Sequence, residues 1–237
     1  MRYALYFTPA ENDPLTVAAA SWLGRDAFTG TEFPSPADAA LDAADIRSLT
    51  ADARRYGFHA TLKAPFALRE DRSESELIAA LEEFCAANQA FEIPKLVVGQ
   101  LGRFFALVPY GHYSELQDFT ARVVEQFEPF RAPLSEADIA RRKPENLSPP
   151  QRSYLQQYGY PYVMEEFRFH MTLTAQVGDE LTAPMRQELE RRFADFTYRP
   201  LAIDGIGLFI EPERGAPFSV LKRLPLAAAP TTERPQP

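Results

Sequence analysis

The sequence predicts an α+β fold built on antiparallel β-sheet. Short apolar stretches come largely in consecutive pairs, and amphipathic segments with helix-capping signals lie between them. The order strand, helix, strand, strand is also expected twice, once in each half of the 237-residue chain. These two observations favour antiparallel pairing, because consecutive strands joined by short turns pair in opposite directions.

The first half is expected to begin with a strand at 2–8 and a helix that Asp13 caps, Pro14 begins and Gly24 ends. A strand near 56–63 follows. Two helices should follow, each beginning at a capping box: Ser73 with Glu76 for the first and Ser114 with Gln117 for the second. Between these helices we expect two strands, near 91–99 and 102–109.

A proline-rich insert is predicted at 129–162, with a short helix between Ser148 and Gly159. Inserts of this length often form lids or pocket walls. After the insert we expect a strand at about 167–176, a helix near 183–195, and strands at 197–203, 205–211 and 217–223.

The pattern divides the chain into an N-terminal lobe at 1–128, the insert, and a C-terminal lobe at 163–224. The last segment, 225–237, has little apolar surface to bury, so it is predicted to be a disordered tail.

One seven-residue pattern occurs in both halves, at 58–64 and again at 169–175. Five of its seven positions are identical, and it contains two of the three histidines in the chain. On a strand, His59 and Thr61 share one face while Phe58, Ala60 and Leu62 occupy the other.

A histidine with a hydroxyl two residues later supplies an acid or base beside a neutral hydrogen-bond donor, which suits phosphate chemistry. Either copy alone is better interpreted as an ordinary half-buried strand. The matched pair favours a functional role, since the same histidine and threonine recur at the same spacing, with the same flanking Phe and Leu. The predicted catalytic residues are therefore His59, Thr61, His170 and Thr172.

At these residues the sequence resembles the two-histidine (2H) phosphoesterase superfamily, whose signature is two histidine-x-threonine/serine-hydrophobic motifs. The stretches 55–66 and 159–170, with 3–8 and 22–24, resemble the branch associated with phosphonate-utilisation operons, and the likeness extends to about Leu224. The resemblance implies two pseudo-twofold-related lobes with the motif strands lining a central cleft. It also implies a cyclic phosphodiesterase, and within this branch a phosphoribosyl 1,2-cyclic phosphate as substrate.

Two imidazoles across one phosphorus supply one base and one acid, and the threonines are placed to hydrogen-bond the non-bridging oxygens. No metal or other cofactor is expected, because threonine is a poor zinc ligand and no carboxylate shares the histidine face. The third histidine, His112, is interpreted as a turn residue before a helix.

Four residues are candidates for substrate binding: Lys63, Arg168, Tyr162 and Arg55. Lys63 and Arg168 each share a face with a motif histidine, although a solvated strand charge is an equally good interpretation. The run Arg141–Lys143 is a further source of positive charge. For Tyr162, packing is favoured over stacking on a substrate ring.

The net charge of −8 argues against a long nucleic acid as partner, because such binding relies on many phosphate-neutralising cations. A small phosphorylated substrate is compatible with a local basic pocket. The single cysteine, Cys85, and the absence of any long apolar run indicate a cytoplasmic protein with no membrane partner. Two alternatives stay open: a 2′,3′-cyclic phosphodiesterase or RNA-end enzyme, and a non-catalytic module that binds a phosphosugar or nucleotide.

Overall fold

The computed structural model describes residues 1–36 and 39–228. Its strands are β1 Arg2–Phe7, β2 Ala60–Phe66, β3 Phe91–Ile93, β4 Leu96–Leu101, β5 Phe104–Pro109, β6 Met171–Thr172, β7 Leu201–Ile203, β8 Gly205–Glu211 and β9 Ser219–Pro225. Its α-helices are α1 Pro14–Leu23, α2 Ala43–Leu49, α3 Ala51–Tyr56, α4 Glu74–Ala87, α5 Ser114–Gln126, α6 Glu136–Arg141, α7 Pro149–Tyr158 and α8 Asp179–Arg192. One-turn 3-10 helices lie at Glu128–Phe130, Pro144–Asn146 and Met164–Glu166.

Seven strands form one antiparallel sheet in the order β4-β5-β6-β2-β1-β8-β9, and β3 pairs with β7 in a separate two-stranded sheet. The predicted mixed fold of antiparallel sheet with flanking helices is confirmed. The sides of the sheet do not follow the predicted lobes, because β8 and β9 come from the C-terminal part of the chain and extend the sheet beyond β1.

The two motif strands are neighbours at the centre of the sheet, where Ala60 pairs with Met171. These residues occupy the same position in the two copies of the motif. A local pseudo-twofold axis therefore relates the copies, and this register places His59 opposite Thr172 and Thr61 opposite His170.

One face of the sheet, the core face, packs against the helices. Leu5, Ala60 and Leu208 lie on it and belong to the main core with side chains of α1, α4, α5 and α8. The opposite face, the site face, carries Tyr6 and Phe209 in a smaller buried cluster.

Three of the four predicted helix caps are confirmed: Asp13 caps α1, and capping boxes begin α4 and α7. The capping box predicted at Ser114 is wrong. Tyr113 is the N-cap without a side-chain bond, and the amide of Gln117 instead donates to the carbonyl of Met164. The Gln117 side chain that the capping box would use is therefore engaged in a tertiary contact with the segment just after the insert.

Both motif strands begin later than predicted. The helix α3 continues to Tyr56, and Gly57 then turns the chain with φ +78°, at a point where a Cβ would lie 2.4 Å from that of Ala27. The second strand is only two residues long. It ends early because the hydroxyl of Thr174 accepts the hydrogen bond from the amide of Phe105.

The predicted disordered tail is wrong for residues 225–228. Leu226 is buried, and Ala227 accepts from the amide of Ala90 while its own amide donates to the Asn88 carbonyl. The remaining part of the predicted tail, 229–237, lies outside the described residues.

Candidate functional site

Both motif histidines are held by the same local hydrogen bond. Nδ1 of His59 lies 2.8 Å from the carbonyl of Gly57, and Nδ1 of His170 lies 2.7 Å from the carbonyl of Arg168. A carbonyl oxygen can only accept, so Nδ1 carries the proton in each ring. The free lone pair of each neutral imidazole is therefore on Nε2, the nitrogen that can exchange a proton with a substrate.

Each motif threonine lies opposite the histidine of the other motif across the pair of β2 and β6. Thr61 Oγ1 lies 3.3 Å from His59 Nε2, so the hydroxyl donates to that lone pair in the free protein. Thr172 lies on β6, opposite Ala106 of β5. All four predicted catalytic residues thus lie where β2 pairs with β6.

A cavity of about 470 Å³ opens beside this strand pair, and both Thr61 and His170 line it. Its other walls come from the β4–β5 hairpin and from the insert with the segment after it: Gln100, Leu101, Gly102, Phe104, Gln151, Tyr160, Tyr162, Glu166, Phe167 and Arg168. A larger cavity of about 920 Å³ beside Arg69 contains neither histidine, so size alone does not identify the site.

The two imidazoles have different environments. Burial lowers the pKa of His59 to about 4; its hydrogen bond to Gly57 opposes the shift, and the nearby His170 adds to it. The pKa of His170 is also lowered by burial, against its bond to the Arg168 carbonyl. Both rings are therefore neutral near pH 7 in the free protein, and His59 is the harder of the two to protonate.

The sequence does not predict the aromatic rings that pack on the two histidines. The ring of Tyr6 stacks on His59 with centroids 3.9 Å apart, and Phe104 lies 5.7 Å from His170. Tyr6 pairs with Thr61 across β1 and β2. Only the pairing of strands distant in sequence could reveal these contacts, since neither aromatic residue lies near a motif in the chain.

Lys63 does not face the site, contrary to the expectation from strict alternation. One step along β1, from Leu5 to Tyr6, is matched by two steps along β2, from Lys63 to Thr61. This β-bulge turns Lys63 to the core face, where its ammonium donates to Glu128 at 2.8 Å and the Val124 carbonyl at 3.1 Å. Lys63 is 3% exposed, so the prediction that it binds substrate is wrong.

The other three candidates for substrate binding separate into two places. Arg168 and Tyr162 line the histidine cavity. Arg55 lines a neighbouring cavity instead, where its guanidinium donates to Glu211 at 2.9 Å and stacks on Tyr56.

Among residues 1–36 and 39–228, no three His, Cys, Asp or Glu side chains are grouped closely enough to hold a metal ion. In the same part of the chain, no helix has the length and apolar character needed to cross a membrane.

Residues 61–219, which include both motif threonines and His170, match the model of a family described as a protein of unknown function, DUF1045. The chain belongs to the DUF1045 family. Two curated proteins are similar to this DUF1045 chain, and both are named ribose 1,5-bisphosphate phosphokinase PhnN. The one from Janthinobacterium sp. (strain Marseille) is 40% identical over 95% of the chain, and the one from Laribacter hongkongensis (strain HLHK9) is 35% identical over 98%. The chain spans about half the length of these relatives, 51% and 53% respectively.

The DUF1045 chain also aligns with solved structures along most of its length. Escherichia coli LigT complexed with 3′-AMP is 16% identical with a TM-score of 0.45, and the alignment covers 95% of this chain and 97% of LigT. TT0787 of Thermus thermophilus is 13% identical with a TM-score of 0.45, over 96% and 99% of the two chains.

Proposed function

We propose that this chain is a metal-independent phosphodiesterase that opens a small cyclic phosphate, with a phosphoribosyl 1,2-cyclic phosphate of phosphonate degradation as its substrate. The observation that carries the proposal is the matched pair of imidazoles at the starts of adjacent strands, each with Nδ1–H fixed on a backbone carbonyl and with its lone pair on Nε2. Two such groups beside a cavity suit a reaction that takes one proton and gives another.

The different environments of the histidines suggest how the roles divide. Burial lowers the pKa of His59 to about 4, so near neutral pH its ring is in the neutral form that can take a proton from the attacking water. His170 lines the cavity directly, where a bound phosphate anion would raise its pKa and favour the protonated form. It then gives its proton to the sugar oxygen as the bond between that oxygen and phosphorus breaks.

The hydroxyl of Thr61 links proton transfer to His59 with stabilisation of the negative charge on the phosphate. In the free protein its only hydroxyl hydrogen is directed at Nε2 of neutral His59. Nε2 has a single lone pair, so the Thr61 hydroxyl must release it before the attacking water can give its proton there. The hydroxyl is then free to donate to a non-bridging phosphate oxygen at the stage when negative charge on that oxygen is largest.

The names of the relatives support this substrate. Water attack that breaks the bond from phosphorus to O2 of a 5-phosphoribosyl 1,2-cyclic phosphate leaves a phosphate on O1. The product is ribose 1,5-bisphosphate, the compound on which the two PhnN-named relatives are said to act. A ring-opening region next to a kinase region in one longer protein would then make the compound that the kinase uses.

The kinase activity itself fits this chain poorly. A nucleotide-binding P-loop has a Gly-Lys pair followed by Ser or Thr, and none of the four lysines in this sequence follows a glycine. The name of the relatives is therefore better attributed to the part of those proteins that this chain does not match.

The test is a product-mass screen of the purified protein with chelator present. The substrates are ribose 1,2-cyclic phosphates, 2′,3′-cyclic nucleotides and short RNA with cyclic ends. Ring opening of the ribose 1,2-cyclic phosphates at the highest kcat/KM supports the proposal. Preference for a cyclic nucleotide or an RNA end would favour a 2′,3′-cyclic phosphodiesterase or RNA-end enzyme. Tight binding without turnover would favour a non-catalytic binding module.

The assignment of acid and base has its own test. A phosphodiester with a 4-nitrophenolate leaving group needs little protonation of that group. The variant that lacks the acid should therefore lose much less activity on it than on the cyclic phosphate. We expect this pattern for His170→Asn and not for His59→Asn.

A further inference from the structure

A second cavity, lined by arginines, lies beside the histidine cavity. Its volume is about 530 Å³, and six guanidinium groups from separate parts of the chain line it: Arg2, Arg55, Arg131, Arg141, Arg142 and Arg214. Asp138 is the one carboxylate among the described residues that line it. We call this the arginine cavity.

The positive charge of the arginine cavity is only partly neutralised. Glu211 pairs with Arg2 and Arg55, Glu128 with Arg131, and Asp138 with Arg141 and Arg214, so three carboxylates serve five arginines. The sixth, Arg142, contacts the ring of Tyr160 at 4.9 Å and has no carboxylate partner in the described part of the chain. An excess of about three positive charges remains in a protein whose net charge is −8.

The arginines also repel one another. The pKa of Arg141 is lowered, first by partial desolvation and then by the charges of Arg214, Arg2 and Arg142. Like charges are held this close only at a cost in free energy, and a bound dianion would remove that cost. Arginine is well suited to the task, because its planar fork of N–H donors matches phosphate geometry.

Aromatic rings join the arginine cavity to the histidine cavity. Tyr160 lines the histidine cavity and is in contact with Arg142. The ring of Tyr56 lies 5.9 Å from that of His59 and 4.3 Å from the guanidinium carbon of Arg55, so that guanidinium is within about 10 Å of the imidazole. A single sugar with phosphates on opposite sides can span such neighbouring sites.

We propose that the arginine cavity binds a phosphate monoester of the same substrate whose cyclic phosphate reacts between the histidines. The inference rests on the proposed function and extends it by assigning the residues that bind the second, distal phosphate of the substrate. Binding at the arginines then holds the sugar in place while the ring opens.

The experiment compares ribose 1,2-cyclic phosphate with and without a 5-phosphate. The wild-type protein should have at least about tenfold higher kcat/KM for the 5-phosphorylated form, because one charge-assisted hydrogen bond corresponds to roughly that factor. Arg141→Gln and Arg142→Gln should bring this ratio toward one. Arg122→Gln, an exposed arginine of α5 that bonds Asn88 outside both cavities, is the matched control and should keep the ratio. A ratio near one in the wild type, or an unchanged ratio in both cavity variants, would overturn the proposal.

A binding measurement separates this inference from the proposed function. If the wild type opens neither compound, the proposed function fails. Calorimetry with ribose 5-phosphate then decides the site. Binding that is lost in Arg141→Gln and Arg142→Gln but kept in Arg122→Gln supports a phosphate site in the arginine cavity, whereas no binding to the wild type refutes it.

Discussion

The pH dependence of kcat/KM is the most informative consequence of the unequal histidines. A pKa of about 4 for His59, against an ordinary value of about 6.5, corresponds to roughly 3–4 kcal/mol at most in favour of the neutral ring. Activity that needs neutral His59 is lost only as the pH falls through about 4. The protonated form of His170 is lost as the pH rises through a value below 6.5. The two limbs enclose an optimum on the acid side of neutrality.

The alkaline limb gives a number to measure. With a pKa below 6.5, less than about 3% of His170 is protonated at pH 8. We therefore expect kcat/KM for a cyclic phosphate to fall at least about 30-fold between pH 5 and pH 8. Proton NMR titration of the imidazole signals, assigned with His59→Asn and His170→Asn, should give the same two pKa values in the free protein. A kcat/KM that is constant or rises between pH 5 and pH 8, or an imidazole of His59 that titrates near 6.5, would refute this account.

Three further predictions concern single side chains. Thr61→Val and Thr172→Val should fold normally and lose about 2–4 kcal/mol of barrier stabilisation, seen as lower kcat with KM little changed; a rise in KM alone would mean that the threonines only bind substrate. Lys63→Met should lower the free energy of unfolding by about 1–3 kcal/mol in urea titrations, because Glu128 keeps its ion pair with Arg131 but loses the one with buried Lys63. KM should stay unchanged, and a raised KM would mean that Lys63 contacts the substrate after all. Tyr6→Leu removes the ring stacked on His59 and should raise the pKa of His59 toward 6.5 in NMR titration, and an unchanged pKa would show that other neighbours cause the burial.

The sequence predicts the antiparallel fold and the starts of α1, α4, α5 and α7 because their signals are local, whereas it does not predict the short helices α2, α3 and α6. The capping side chains of Asp13, Ser73 and Ser148 bond to backbone amides within three residues, so the sequence alone specifies them. Ser114 shows the limit of such signals, since the side chain of Gln117 donates to the carbonyl of Met164, 47 residues away, instead of completing the capping box.

The candidate site is only partly predictable for a similar reason. The repeated motif identifies both histidines and both threonines without any knowledge of strand order. The face of Lys63 depends on a β-bulge in the pairing of β1 with β2, which no pattern in β2 reveals. The stacking of Tyr6 on His59 and the gathering of six arginines likewise depend on contacts between segments far apart in the chain.

The most direct test of the account is single-turnover ring opening of 5-phosphoribosyl 1,2-cyclic phosphate with chelator present, measured for the wild type, His59→Asn and His170→Asn. If both histidines act on one phosphorus, the wild type turns over under these conditions, and each variant, folded by circular dichroism, loses about 10²–10⁴-fold in rate. A near-native rate in either folded variant, or a wild-type rate that is abolished by chelator and restored by a divalent metal, would contradict the account.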